Sequence, residues 1–80
     1  MNDAELLATI SQLVDEEHRL ERDHAATGLD AASQQRRGEI EVALDQCWDL
    51  LRQRRARRDA GQDPNQAEPR AGGTVEGYRQ

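Results

Sequence analysis

Apolar side chains near the start of the chain recur at steps of three and four residues, a spacing that places them along one side of an α-helix. The residues that follow this pattern are Leu6, Leu7, Ile10, Leu13, Val14 and Leu20. Asn2 or Asp3 can cap such a helix, because either side chain can accept hydrogen bonds from its first free N–H groups. Gly28 suits the left-handed position that follows a helix end. We therefore predict a first helix over about 3–26.

A second stretch with helical spacing follows Asp30, which can cap it. Its apolar residues are Ile40, Ala43, Leu44, Cys47, Trp48, Leu50 and Leu51. Gly38 falls within this stretch and weakens a helix by about 1 kcal/mol relative to alanine. Gly61 and Pro64 are typical of the residues that follow a helix end. The pattern predicts a second helix over about 31–59.

The remainder of the chain, 61–80, has a different composition. It holds both prolines and four of the six glycines, which favours irregular structure. Val75 and Tyr78 are its only sizeable apolar side chains, and they are able to attach this tail to the helices. We divide the chain into a helical part over 1–60 and a tail over 61–80.

Two consecutive helices joined by a short turn predict an all-α fold, an antiparallel two-helix hairpin with an irregular C-terminal tail. If the chain turns near Gly28, residues whose numbers add up to about 57 lie side by side. This register places Leu13 beside Leu44. Near the turn it places Glu21 beside Arg36, which predicts an ion pair between them.

Two helices alone leave much of so wide an apolar stripe uncovered. A chain of 80 residues with 35% hydrophobic residues also has little material for a core of its own. Pairing of two hairpins into a four-helix bundle would cover the stripe, so we predict a homodimer or a protein partner. The candidate interaction face consists of Leu6, Ile10, Leu13, Leu44, Cys47, Trp48 and Leu51.

The formal net charge of −5 argues against a general nucleic-acid binder, but positive charge is concentrated in one short segment. The candidate basic patch consists of Arg52, Arg54, Arg55, Arg57 and Arg58. Cations near a helix C-terminus are favoured by the helix dipole, and the predicted register places Asp3 and Glu5 beside Arg54 and Arg52. A structural role is therefore the first interpretation. An acidic protein partner and a nucleic-acid or ribosome-associated role are the alternatives.

Three side chains near the turn could be considered as metal ligands. Glu21 and His24 have the Glu-x-x-His spacing of di-iron bundles, and Glu17 lies nearby. The chain has no second Glu-x-x-His, however, and the register places Arg36 opposite instead of a carboxylate. We therefore predict no metal site and no cofactor. Cys47 lies within the apolar stripe and is expected to behave as a small buried hydrophobe.

Signatures of catalysis are absent from the sequence. It has no phosphate-binding glycine loop, no Gly-x-Ser-x-Gly and no Cys-x-x-Cys, and a two-helix fold offers little room for a concave pocket. We predict that the protein is not an enzyme. No apolar run approaches the roughly 20 residues of a membrane span, and the first residues lack the pattern of a signal peptide. We therefore expect no membrane association and a cytoplasmic location.

Several segments carry a resemblance to a known family. They are "LVDEEHRLE" at 13–21, "TGLD" at 27–30, "LDQCWDLLRQRRA" at 44–56, "GQDP" at 61–64 and "VEGY" at 75–78. The chain resembles, over almost its whole length, the domain-of-unknown-function family 2630 of short uncharacterised actinobacterial proteins. The resemblance implies a small intracellular helical protein, brings no activity with it, and gives the tail more weight than a linker would have.

Overall fold

The computed structural model of the chain describes residues 1–28 and 30–69. Two long helices, α1 (Asp3–Thr27) and α2 (Ala31–Asp59), pack against each other and are followed by a 3₁₀ turn at Pro64–Gln66. No strand occurs in these two ranges. The predicted all-α hairpin is confirmed.

Each helix begins at a capping side chain that the sequence offers. Asn2 caps α1: its side-chain oxygen accepts a bond of 2.8 Å from the Glu5 N–H, and the Glu5 carboxylate accepts one of 3.0 Å from the Asn2 N–H. This reciprocal pair leaves the carboxylate of Asp3 available for contacts with α2. Asp30 caps α2 by accepting a bond of 2.7 Å from the Ser33 N–H, which lowers the pKa of Asp30.

The end of α1 depends on a backbone conformation that favours glycine. Gly28 has a φ of +79°, and its N–H donates to the carbonyl of His24 at 2.8 Å. A side chain would strain this conformation, because only glycine enters the left-handed region without steric cost. Since α2 begins at Ala31, the chain reverses direction within a few residues and the helices lie antiparallel.

The core is small. Its buried apolar side chains among the described residues are Leu6, Ile10, Ile40, Leu50 and Leu51. Leu6, Leu50 and Leu51 form one cluster at the open end of the hairpin, and the partly buried Cys47 and Ala67 pack against it. Each fully buried side chain of this size contributes about 1.5–3 kcal/mol, so most of the packing energy lies far from the turn.

The first part of the predicted tail folds back onto α2. Gln53 donates to the carbonyl of Glu68 at 2.9 Å and to the Asp49 carboxylate at 2.8 Å, so it links α2 to the tail. Asp49 is only 4% exposed, although nothing in the apolar pattern predicts a buried carboxylate there. Val75 and Tyr78, which the sequence suggests as attachment points, lie outside the described residues.

The helix register differs locally from the prediction. Glu21 pairs with Arg37 at 3.4 Å, and Arg36 binds Glu16 at 2.6 Å, so the predicted pair of Glu21 and Arg36 is wrong. Successive residues of a helix point about 100° apart, because one turn takes about 3.6 residues. A shift of one residue therefore moves an arginine from one side of the hairpin to the other.

Candidate interaction surface

One side of the hairpin is marked by an ion pair that crosses between the helices. The pair near the turn, Arg37 with Glu21 at 3.4 Å, identifies this side, whereas the pair of Arg58 and Asp3 at 2.7 Å closes the open end of the hairpin. Steps of seven residues from Glu21 along α1, and of seven and four residues from Arg37 along α2, place further positions on the side that Arg37 and Glu21 mark. We call the apolar residues at these positions the Trp48 face, which consists of Leu7, Val14, Leu44 and Trp48.

The Trp48 face remains accessible to solvent. Trp48 is 43% exposed and Leu7 is 49% exposed, while Val14 and Leu44 are partly buried. Apolar side chains that cluster on a surface mark interaction sites more often than single exposed ones do. Tryptophan is also one of the residue types that dominate binding energy at protein interfaces.

The opposite side of the hairpin carries an apolar groove of about 330 Å³, which we call the groove face. Its lining residues include Leu6, Thr9, Leu13, Ala43, Gln46, Cys47 and Leu50, with Met1 and Pro69. No charged side chain is among them. The volume lies at the lower limit of small-molecule sites, and the lining offers no acid–base pair. Burial raises the pKa of the Cys47 thiol, which keeps it protonated and poorly nucleophilic.

The seven residues of the predicted interaction face do not form one surface. Leu6, Ile10 and Leu51 are buried between the helices or under the tail. The others divide between the two sides: Leu13 and Cys47 line the groove, whereas Leu44 and Trp48 lie on the Trp48 face. Leu7 and Val14 complete that face and were not in the predicted set, although their seven-residue spacing was visible in the sequence.

The arginines of the predicted basic patch also have different surroundings. Arg54 is 6% exposed, and it donates to Asp3 at 2.6 Å and to the tail at the Pro64 carbonyl and the Asn65 side chain. Arg58 binds the second oxygen of Asp3. The bonds from Arg58 and Arg54 lower the pKa of Asp3 to about 2. The predicted proximity of Asp3 and Arg54 is thus present.

The remaining three arginines are more accessible. Arg52 lies 3.9 Å from Asp49 and forms no ion pair with Glu5, beside which the register predicted it. Arg55 is exposed and Arg57 is partly buried, and neither forms an ion pair with residues 1–28 or 30–69. The cluster is therefore divided between internal ion pairs and a few accessible cations, and it does not present five equivalent charges.

The carboxylates and histidines of the described residues form no group of three or more that could hold a metal ion. Glu21 is engaged with Arg37, and Glu16 accepts two bonds from Arg36, at 2.6 and 2.8 Å. The bonds from Arg36 lower the pKa of Glu16. Neither helix in the described part has the length and apolar content needed to cross a membrane.

The class of protein is thus a short all-α hairpin, onto which the described part of the C-terminal segment packs back. The chain belongs to the family described as "Protein of unknown function (DUF2630)", whose model matches residues 2–80. It is similar to uncharacterised proteins of Mycobacterium bovis and Mycobacterium tuberculosis. Each is 49% identical over 77 residues, which cover 95% of this chain and 88% of the relative. No solved structure matches the chain. The family resemblance predicted from the sequence is confirmed.

Proposed function

We propose that this protein works by protein–protein association through the Trp48 face and has no catalytic activity of its own. The observation that carries the proposal is the exposure of Trp48 and Leu7 on one side of a hairpin whose other side is partly covered by its own tail. Burying a side chain of this size against a partner contributes about 1.5–3 kcal/mol. The rigid helix backbone limits the entropy that binding would cost.

The placement of the charged groups supports a structural rather than a chemical use of them. Asp3, Glu16 and Glu21 all bind arginine side chains across the hairpin. These pairs fix the position of α1 against α2. Among the described residues, the lining of the apolar groove next to Cys47 includes no charged side chain that could assist a reaction.

The alternative is a nucleic-acid or ribosome-associated accessory role for the arginines of 52–58. Only Arg55 and Arg57 in this segment lack an ion pair with the described residues. Affinity for nucleic acid grows with the number of phosphates neutralised, so two cations on a chain of net charge −5 give a weak site. Binding that persists at high salt would support the apolar surface, and binding that falls steeply with salt would support the alternative.

Photo-crosslinking in living cells tests the proposal without assuming the identity of the partner. A photoreactive phenylalanine at position 7 lies on the Trp48 face, and the same residue at exposed position 12 lies on the outer side of α1. We expect a crosslinked protein product from position 7 and not from position 12. The proposal is wrong if position 7 gives no product while the chain is folded and expressed, or if both positions react equally.

A further inference from the structure

We infer that the partner at the Trp48 face is a second copy of this chain, bound with α2 antiparallel to α2 of the partner subunit and Trp48 near the twofold axis. This inference rests on the proposed function and names the partner of the same surface. It is argued from the order of charged and apolar residues along α2.

Along one line of α2, steps of three and four residues join Glu41, Leu44, Trp48, Leu51 and Arg55. This is the spacing of the seam through which helices pair in bundles and coiled coils. The accessible centre of the line is apolar: Trp48 is exposed and Leu44 is partly exposed, whereas Leu51 is buried in the core of its own subunit. The two ends of the line carry opposite charges. Glu41 and Arg55 each lie seven residues from Trp48, on either side of it.

Both terminal charges are accessible. Glu41 and Arg55 are exposed, and neither forms an ion pair with residues 1–28 or 30–69. Most of the other arginines of α2 bind a carboxylate: Arg36, Arg37, Arg52, Arg54 and Arg58. The two charges that flank Trp48 are therefore left to interact with a partner.

A twofold dimer presents the same surface on both subunits, so the surface must complement itself. In an antiparallel pair centred on Trp48, Glu41 meets Arg55 of the partner subunit, and the reverse contact forms at the other end. In a parallel pair, each charge would meet its own copy. Like charges across an interface are unfavourable, so the charge order selects the antiparallel arrangement.

The flanking side chains fit the same geometry. Leu7 and Val14 lie beside the line on α1 and would extend the contact, which gives four helices around one apolar layer. The groove face is a poorer candidate for this contact. Ala67 and Pro69 of the chain's own tail already pack there, and its Arg36 and Glu16 are already paired within one subunit.

Light scattering coupled to size exclusion, on wild type and four variants, tests the inference. Wild type is expected to be a dimer. Glu41→Arg and Arg55→Glu each replace two attractive contacts by two repulsive ones, so each should weaken dimerisation about tenfold or more. An equimolar mixture of these two variants should dimerise as well as wild type, because every contact of the mixed dimer joins opposite charges. The doubly exchanged chain should also recover. Arg57→Glu, off the line, is the matched control and should remain a dimer.

Circular dichroism of each variant verifies that the helices persist, and quenching of Trp48, the chain's only tryptophan, gives a second measure of the contact. A monomeric wild type at all concentrations overturns the inference, while crosslinking from position 7 still decides the proposed function. Single variants that dimerise like wild type overturn it as well. Preferential pairing of wild type with the doubly exchanged chain would mean a parallel arrangement, and the antiparallel one would be wrong.

Discussion

At the scale of single residues, Arg54 shows how one side chain can organise this fold. It follows Leu50 and Leu51 by four and three residues, so it continues the buried side of α2 beyond the last apolar residues. Its guanidinium binds Asp3 at the start of α1 and Pro64 and Asn65 in the tail. Arg54 thus joins three segments that are distant in sequence, whereas its neighbour Arg55 is exposed.

Replacing Arg54 should therefore cost far more than replacing another arginine of the same segment. We expect Arg54→Ala to lower the free energy of unfolding by about 2–3 kcal/mol, because it breaks a buried ion pair and leaves its acceptors unpaired. Arg57→Ala, which breaks no ion pair among the described residues, should change it by less than about 0.5 kcal/mol. Urea unfolding followed by circular dichroism, at one protein concentration, measures both. Equal effects of the two substitutions would contradict the role assigned to Arg54.

Asp3 adds a dependence of stability on pH. The bonds from Arg58 and Arg54 lower its pKa from 3.8 to about 2 in the folded chain. A lowered pKa means that the carboxylate stabilises the fold fully above its unfolded pKa and loses this effect as the pH falls towards the folded value. Asp3→Asn should therefore lower Tm at neutral pH, and its difference from wild type should shrink between about pH 4 and pH 2. A difference that stays constant over this range would show that the charge of Asp3 is not what stabilises the fold.

At the scale of elements, the helices could be predicted from the sequence because their signals are local. Each helix begins after a capping residue, carries a periodic apolar stripe and is followed by a glycine. The structure places α1 over Asp3–Thr27 and α2 over Ala31–Asp59, within one residue of the predicted ranges. The choice between Asn2 and Asp3 as the cap could not be predicted. It is linked to the ion pairs that Asp3 forms with Arg54 and Arg58, and these pairs join the start of α1 to the end of α2.

The division of the apolar stripe into the Trp48 face and the groove face could not be predicted from the sequence either. Side chains at steps of three and four residues cover more than a third of a helix surface, and the line of contact can run anywhere within it. The tail was unpredictable for another reason: Gln53 and Arg54 bind carbonyl groups of Glu68 and Pro64, which any residue would supply. A bond to a backbone carbonyl does not depend on which side chain stands at that position, so the sequence pattern does not predict it.

The two glycines near the turn should respond in opposite ways to the same substitution. Gly38 lies inside α2, and a methyl group added there meets no atom within 4 Å. Gly38→Ala should raise the free energy of unfolding by about 1 kcal/mol, since alanine is the better helix former. Gly28 also has free space around it but a φ of +79°, so Gly28→Ala should lower the stability by about 1 kcal/mol. Urea unfolding of both variants decides this, and a stabilising Gly28→Ala would contradict the conformation at the turn.

At the scale of the whole molecule, the hairpin divides its apolar surface between two uses. The cluster of Leu6, Leu50 and Leu51 and the neighbouring groove are closed in part by the chain's own residues Ala67 and Pro69. The Trp48 face has no such cover from the described residues. A core of this size gives the isolated chain little stability. Burial of the Trp48 face against a partner would therefore contribute to folding as well as to binding.

Stability should therefore depend on protein concentration. If two chains unfold from one dimer, each tenfold increase in concentration adds about 1.4 kcal/mol to the free energy of unfolding of the dimer. For a folded unit of this size, that corresponds to a rise in Tm of about 3–5 °C for each tenfold increase in protein concentration. Leu7→Gln changes an exposed side chain of the Trp48 face, so it should weaken this dependence and leave the helix content of the folded chain intact. Thr9→Gln, on the groove face, should keep the wild-type dependence. A wild-type Tm that does not move over a hundredfold range of concentration would mean that one chain closes its own core, and that the Trp48 face is free for a different protein.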